Sequence, residues 1–328
     1  MTGVRPSFLT IAPGVLVLSL LATPPATAAS QSQRRDAEAE KDLTSWADEQ
    51  LANLAQRAQQ GEAAAQFDLG MHYFAGNQVM RDFGQAVSWW QKAAKQDHTL
   101  AELNLAVMYQ NGIGVGRDLT QAFEWYRKAA EHGDDQAELH LGEAFEDGLG
   151  TAQDSAQAFQ WWLKSATQGN ARAQNYVGQA YEAGQGIERD FAQAIEWFTK
   201  SAAQGNAVAE VNLGFMYRQG EGVPMDAAQA VEWWQKAAAQ GNSAAQYNLA
   251  VSYFNGQGVM KDEIQAYEWV EIAVANSTGD VQTRYTRLRD LLGMRLSSDA
   301  IAEAQKRARE LQDEFDRRRR AEFEGRKL

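Results

Sequence analysis

The sequence predicts an all-α fold, a right-handed α-solenoid of six 36-residue helix–turn–helix repeats with helical caps. Three recurrences predict it. The aromatic at Tyr73 returns as Tyr109, Phe145, Tyr181, Tyr217 and Tyr253. The acid at Asp82 returns as Asp118, Asp154, Asp190, Asp226 and Asp262, and the indole at Trp89 as Trp125, Trp161, Trp197, Trp233 and Trp269. A fixed period of this length, free of insertions, marks stacked supersecondary units that bury their apolar faces against one another. An array of that kind points to recognition rather than chemistry.

Residues 1–28 read as a secretory signal peptide. Arg5 is the only charge before Arg34, an apolar stretch runs from Phe8 to Leu21, and Ala26-Thr27-Ala28 supplies an A-x-A cleavage site. The apolar run is shorter than the ~20 residues of a spanning helix. The mature chain is therefore expected to be periplasmic or secreted, with no stable membrane insertion after cleavage. Residues 29–41 (ASQSQRRDAEAEK) have the polar composition of a linker. Residues 42–61, with Trp46, Leu51, Leu54, Ala55 and Ala58, resemble a second helix lacking its first, and read as an N-terminal capping helix.

The repeats occupy 62–277. In each, the first helix carries the pattern of Ala65, Leu69, Gly70 and Tyr73 on one face. A small third residue implies close approach by another helix. Gly-x-Gly follows in five copies, as Gly112–Gly114, Gly148–Gly150, Gly184–Gly186, Gly220–Gly222 and Gly256–Gly258, and supplies a C-terminal cap with φ > 0. The second helix opens at the recurrent Asp. Gln85, Gln121, Gln157, Gln193, Gln229 and Gln265 stand three residues later, which resembles a capping box, each Asp being worth ~1 kcal/mol. An Ala/Trp face follows (Ala86, Trp89, Trp90, Ala93, Ala94), and the recurrent Trp reads as core. Residues 278–328 lose the pattern and read as capping helices near 280–293 and 298–322 with a charged tail.

Several chemistries find no support. The net charge of −12 repels phosphate backbones, so no nucleic acid is expected as partner. There is no cysteine, hence no disulfide, thiolate site or lipoprotein anchor. The Gly-x-Gly loops follow helices, whereas nucleotide loops follow strands, so no cofactor is expected. The four histidines (His72, His98, His132, His140) lack metal-ligand spacing and read as solvated; neither a metal nor a catalytic residue is assigned. The Arg317–Arg320 run stands among acids and reads as a solvated helix.

The pattern of repeat 5 resembles the Sel-one-like repeat family, relatives of the tetratricopeptide repeats. It carries Leu213-Gly214, Tyr217, Gly220-x-Gly222-Val223, Asp226, Ala230, Trp233, Lys236-Ala237-Ala238 and Gly241. The resemblance covers 62–277. It implies a scaffold for protein–protein contacts, here a secreted bacterial member acting in envelope signalling, exopolysaccharide production or secretion. Some cysteine-rich members resembling this family are linked to β-lactam hydrolysis; a cell-wall or β-lactam hydrolase is the alternative, and this chain lacks that branch's cysteines.

In such solenoids the first helices line a concave groove for a protein or peptide partner. The residues opposite the inward face then form the candidate site. They are Phe67, Leu103, Leu139, Asn175, Val211 and Tyr247 at one position, and Met71, Val107, Glu143, Gln179, Phe215 and Val251 at the other. A competing reading, that some of them pack on the next repeat, stays open at this stage.

Overall fold

The computed structural model describes residues 49–325. The expected signal peptide, the linker and the start of the N-terminal cap lie outside the described residues. The chain divides into two compact units, Met1–Asn53 and Leu54–Leu328. Of the first, only 49–53 is described, and it is helical.

Every regular element among the described residues is a helix. A first stretch runs over 49–59 (α1). Six pairs follow: α2 (Ala63–Ala75) with α3 (Phe83–Ala94), α4 (Thr99–Asn111) with α5 (Leu119–Glu131), and α6 (Asp135–Asp147) with α7 (Ser155–Thr167). The others are α8 (Ala171–Ala183) with α9 (Phe191–Ala203), α10 (Ala207–Gln219) with α11 (Ala227–Ala239), and α12 (Ser243–Asn255) with α13 (Glu263–Ala275). α14 (Gly279–Gly293) and α15 (Ser298–Gly325) come last. Each first helix packs on its own second helix, and each second helix on the next first helix, which is a solenoid. Among the described residues no helix is long and apolar enough to cross a membrane.

The turns explain the constant period. The glycine ending each first helix adopts the left-handed conformation, as at Gly148 (φ 66°). The second glycine of the pair has a different task. A Cβ on Gly150 would lie 2.0 Å from the Leu119 carbonyl oxygen, so this turn sits directly on the start of the preceding repeat's second helix. Gly114, Gly186, Gly222 and Gly258 are held in the same way by Phe83, Ser155, Phe191 and Ala227.

The recurrent Asp caps its helix as expected. Asp118 Oδ1, for example, accepts from the Thr120 and Gln121 amides. The reciprocal half of the capping box is replaced. The Asp amide that Gln should reach already donates to the carbonyl of the recurrent aromatic nine residues earlier, as in Asp118 N–H to Tyr109 O at 3.0 Å. That bond ties the turn to its own first helix. The first helices have caps the sequence reading missed: His98, Asp134, Asn170, Asn206 and Asn242 each accept a first-turn amide.

The core assignment of the second helix shifts by one residue. The recurrent Trp is only partly buried in five repeats; in the first five repeats a lysine covers it, with Nζ 3.5 Å from the Trp89 ring for Lys92 and 3.8 Å from Trp233 for Lys236. Only Trp197 counts as core, at 9% exposure. The deep ring is the next residue: Trp90, Tyr126, Trp162, Phe198 and Trp234 are 0–5% exposed, and Val270 fills the sixth place. Each meets the small residue of its own first helix. A Cβ on Gly214 would lie 2.2 Å from Trp234 Nε1. Trp faces only glycine; where that residue is Ala106 or Ala250, the facing side chain is the smaller Tyr126 or Val270, and Gly178 faces Phe198. Trp269 has Ile272 in place of the lysine and is covered instead by Phe315 of α15 (centroids 6.3 Å). The stack thus closes on α15.

A polar ladder runs through the apolar interior. Gln66, Glu102, Glu138, Gln174, Glu210 and Gln246 are buried, and each bonds a residue 30 positions on. The three glutamines also donate to Ala58, Ala166 and Ala238 carbonyls. An ionised glutamate has no proton for that bond. Burial pushes the Glu138 carboxyl up, against the opposing effects of Gln168 and Lys164 and with the help of Asp135 and Asp134; burial likewise raises Glu210, opposed by Gln240 and Lys236. A carboxyl raised on folding binds its proton more tightly in the folded state, so its stability penalty grows as pH rises through the folded pKa and vanishes in acid. The Glu138→Gln/Glu210→Gln variant is expected to melt higher than wild type at pH 8, by the equivalent of about 1 kcal/mol, since a net hydrogen bond is worth about that. The gain should disappear at pH 4; a pH-independent difference would contradict this reading.

Candidate functional site

Outside the core, the six first helices present a common stripe. Residues 64, 68, 71 and 75 and their echoes in the other repeats are half-buried or exposed, with Asn248 the one buried member. Side-chain bonds link some successive first helices along the stripe. Asn104 Nδ2 approaches Met71 Sδ at 3.6 Å, and Arg172 Nη2 donates to Glu143 Oε1 at 2.8 Å.

The twelve candidate residues separate into two sets. The series starting at Phe67 forms the seam between repeats. Leu139, Asn175 and Val211 are 0%, 6% and 7% exposed and closed to a partner, which corrects their assignment. Phe67 stacks on His98 at 4.7 Å, Leu103 packs on the core of the second and third repeats, and Tyr247 stacks on Tyr285 at 4.4 Å. The physical reason is position: this residue's own carbonyl receives the deep Trp Nε1–H in two repeats, from Trp90 to Phe67 and from Trp234 to Val211, so it lies against the second helix. The second series stays accessible. Met71 is 38% exposed, and Val107, Glu143, Gln179, Phe215 and Val251 are half-buried. Phe215 also meets Trp234 edge-on (5.6 Å), so it serves both core and surface.

Two residues that sequence reasoning passed over belong with them. Leu100 and Val208, at the position of residue 64, are 49% and 48% exposed. They stand seven residues before Val107 and Phe215, two helical turns along the same stripe. That spacing was the available signal. The face therefore has one apolar end in repeats 1 and 2 (Met71, Leu100, Val107) and another in repeats 5 and 6 (Val208, Phe215, Val251).

The centre is a charge network. Glu143 Oε1 accepts from Arg172 and from the Tyr176 hydroxyl (3.0 Å), and Oε2 accepts from His140 Nδ1 (2.9 Å). Burial pushes the Glu143 carboxyl up, but His140, Arg172 and Tyr176 more than offset it and hold it below the usual carboxylate range. Burial and the Glu143 charge raise the Tyr176 hydroxyl. Tyr176 stacks on Trp162 at 4.9 Å, which fixes the ring. The histidines stay exposed or half-buried, as expected, but each has a partner: His132 bonds Glu102, His72 bonds the Asn77 carbonyl, and His98 caps α4 and stacks on Phe67. Among the described residues no group of three or more His, Cys, Asp or Glu side chains is placed to hold a metal ion.

Comparison with known proteins agrees with this architecture. The profile of the Sel1 repeat matches residues 63–98, 99–134, 135–170, 171–206, 207–242 and 243–277. The chain is similar to a protective antigen of uropathogenic Escherichia coli displaying an SLR fold, at 36% identity and a TM-score of 0.69. That match covers 79% of this chain and 56% of the antigen. It is also similar to a Sel1 repeat protein of Oxalobacter formigenes, at 32% identity and a TM-score of 0.60, over 67% of this chain and 87% of that one. A curated relative, the secretory immunoglobulin A-binding protein EsiB of Escherichia coli, is 46% identical over 43 residues, 13% of this chain and 9% of EsiB. The chain thus spans little more than half of the antigen and a tenth or less of EsiB.

Proposed function

The chain belongs to the Sel1 repeat family, and from that premise we propose that it is a protein-interaction scaffold that binds a protein or peptide partner along its first-helix face. The observation that carries the reading is the pair of apolar ends, Met71/Leu100/Val107 and Val208/Phe215/Val251, where Met71, Leu100 and Val208 are exposed and the others half-buried, at positions where the six repeats stop agreeing. The fold does not require apolar side chains there, since other repeats place Gln136 and Arg172 at the Leu100 position. Burying apolar area of this kind drives association. The polar centre around Glu143 fixes register rather than affinity, because its charges are already paired.

The mechanism is reversible contact, without catalysis. Export to the periplasm or beyond is part of the proposal; the leader pattern of residues 1–28 supports it, as do relatives named for antibody binding and protective antigenicity. Envelope signalling, exopolysaccharide production or secretion is the proposed setting of that contact.

Leu100→Asp and Val208→Asp are expected to leave the melting temperature within about 2 °C of wild type, as surface substitutions do. They should reduce co-purification of the partner from envelope extracts at least about tenfold, the equivalent of 1.4 kcal/mol. Undiminished recovery with both variants folded would contradict the first-helix face.

A further inference from the structure

Among the described residues the methionines divide by depth, with Met71, 38% exposed on the first-helix face, standing apart from both groups. Met108 and Met216 are 2% and 0% exposed in the core. Met80, Met225, Met260 and Met294 are 91%, 75%, 88% and 81% exposed. The first three lie in the turn between first and second helix of repeats 1, 5 and 6, and Met294 lies in the equivalent α14–α15 turn. The turns follow one another along one edge, because from repeat 2 onward each sits on the start of the preceding second helix, as Gly222 on Phe191 and Gly258 on Ala227, and Arg295 next to Met294 bonds Glu263 at the start of α13.

Nothing in the fold asks for a thioether there. At the place of Met80 and Met260 the other repeats carry Gly116, Ala152, Glu188 and Pro224; at the place of Met225 they carry arginine, glutamine or lysine. A side chain exposed to this degree buries almost no apolar area. What remains distinctive is its chemistry. With no cysteine in the chain, the thioether is the softest nucleophile available, and exposure decides which sulfur reacts first.

We propose that the turn methionines are a modification site, a sacrificial edge that consumes two-electron oxidants such as hypochlorous acid before the core is reached. The sulfur lone pair takes chlorine from hypochlorous acid, releasing hydroxide. Water then adds its oxygen to sulfur and expels chloride. The net change is thioether plus HOCl to sulfoxide plus chloride and a proton, with sulfur oxidised by two electrons and chlorine reduced by two. The polar sulfoxide forms in water, outside the packed core, so the stack keeps its contacts. A sulfoxide-reducing reaction of the thiol-dependent class must restore the edge. This inference is independent of the first-helix face.

The test is titration of the full chain with hypochlorous acid, read by peptide mass spectrometry and by melting. Met80, Met225, Met260 and Met294 are expected to gain one oxygen each before Met108 and Met216, with the melting transition intact. The Met80→Leu/Met225→Leu/Met260→Leu/Met294→Leu variant should fold with an unchanged melting temperature. It should lose its transition at a dose lower by about one equivalent per missing thioether. Oxidation of Met108 and Met216 in step with the edge, or coincident dose curves for variant and wild type, would overturn the proposal.

Discussion

Gly150→Ala is expected to lose about 2–5 kcal/mol of stability, among the largest effects of a single methyl group in the stack. Two costs add. The backbone there has φ 76°, and an L-residue in that region loses about 1–2 kcal/mol. The new Cβ would also stand 2.0 Å from the Leu119 carbonyl oxygen, a backbone atom that cannot turn aside, and overpacking costs about 1–3 kcal/mol. The equivalent position of repeat 1 gives the contrast. Gln78 has φ 59° and is exposed, so that place accepts a side chain. The consequence in a solenoid is local: opening the seam between repeats 2 and 3 should separate unfolding into two steps, because each repeat is held only by its neighbours. Differential scanning calorimetry of Gly150→Ala should show a lowered, broadened or split transition. An unchanged single transition would contradict the assigned packing of turn on helix.

Gly214→Ala should lose up to about 2 kcal/mol, the overpacking cost of about 1–3 kcal/mol less nearly 1 kcal/mol because alanine is the better helix former. The added Cβ would meet Trp234 Nε1 at 2.2 Å, and that indole is 1% exposed and held by its bond to the Val211 carbonyl. The protein itself contains the compensating arrangement. Repeat 2 pairs Ala106 with Tyr126 in one cluster, a smaller ring opposite a larger neighbour. Gly214→Ala/Trp234→Tyr is therefore expected to be more stable than the sum of its single variants by at least about 1 kcal/mol, measured as the coupling of a double-mutant cycle. Strict additivity would show that the two side chains do not compete for one space.

These two cases indicate what a single sequence can tell. Residues serving the backbone, such as Asp118 as a cap or Gly148 as a left-handed stop, recur because backbone geometry recurs, and their roles were legible at once. Trp89 and Trp90 were harder. They are neighbours about 100° apart on the helix, and the deeper one is hidden because Tyr126, Phe198 and Val270 replace it in other repeats. What recurs there is a small residue facing a buried side chain, not one identity along the column.

The site was half legible for a related reason. Phe67 and Met71 are four residues apart and share a helical face, so periodicity could not separate the seam from the surface. Depth was decided by the neighbouring repeat, which closes over Leu139 and leaves Met71 open. The Glu143 network joins residues 29 and 33 positions apart, a spacing with no local signature. The buried Glu102 was invisible because a polar residue on a core-facing position runs against the pattern used to find the core.

Residue-specific photocrosslinking in cells tests the binding claim most directly. A photoreactive amino acid placed at Leu100 or at Val208, on the first-helix face, should give a discrete adduct with a partner protein. The same probe at Gln160 or Glu232, exposed on the second helices, should give none. Adducts from Gln160 and Glu232 with none from Leu100 and Val208 would contradict the account.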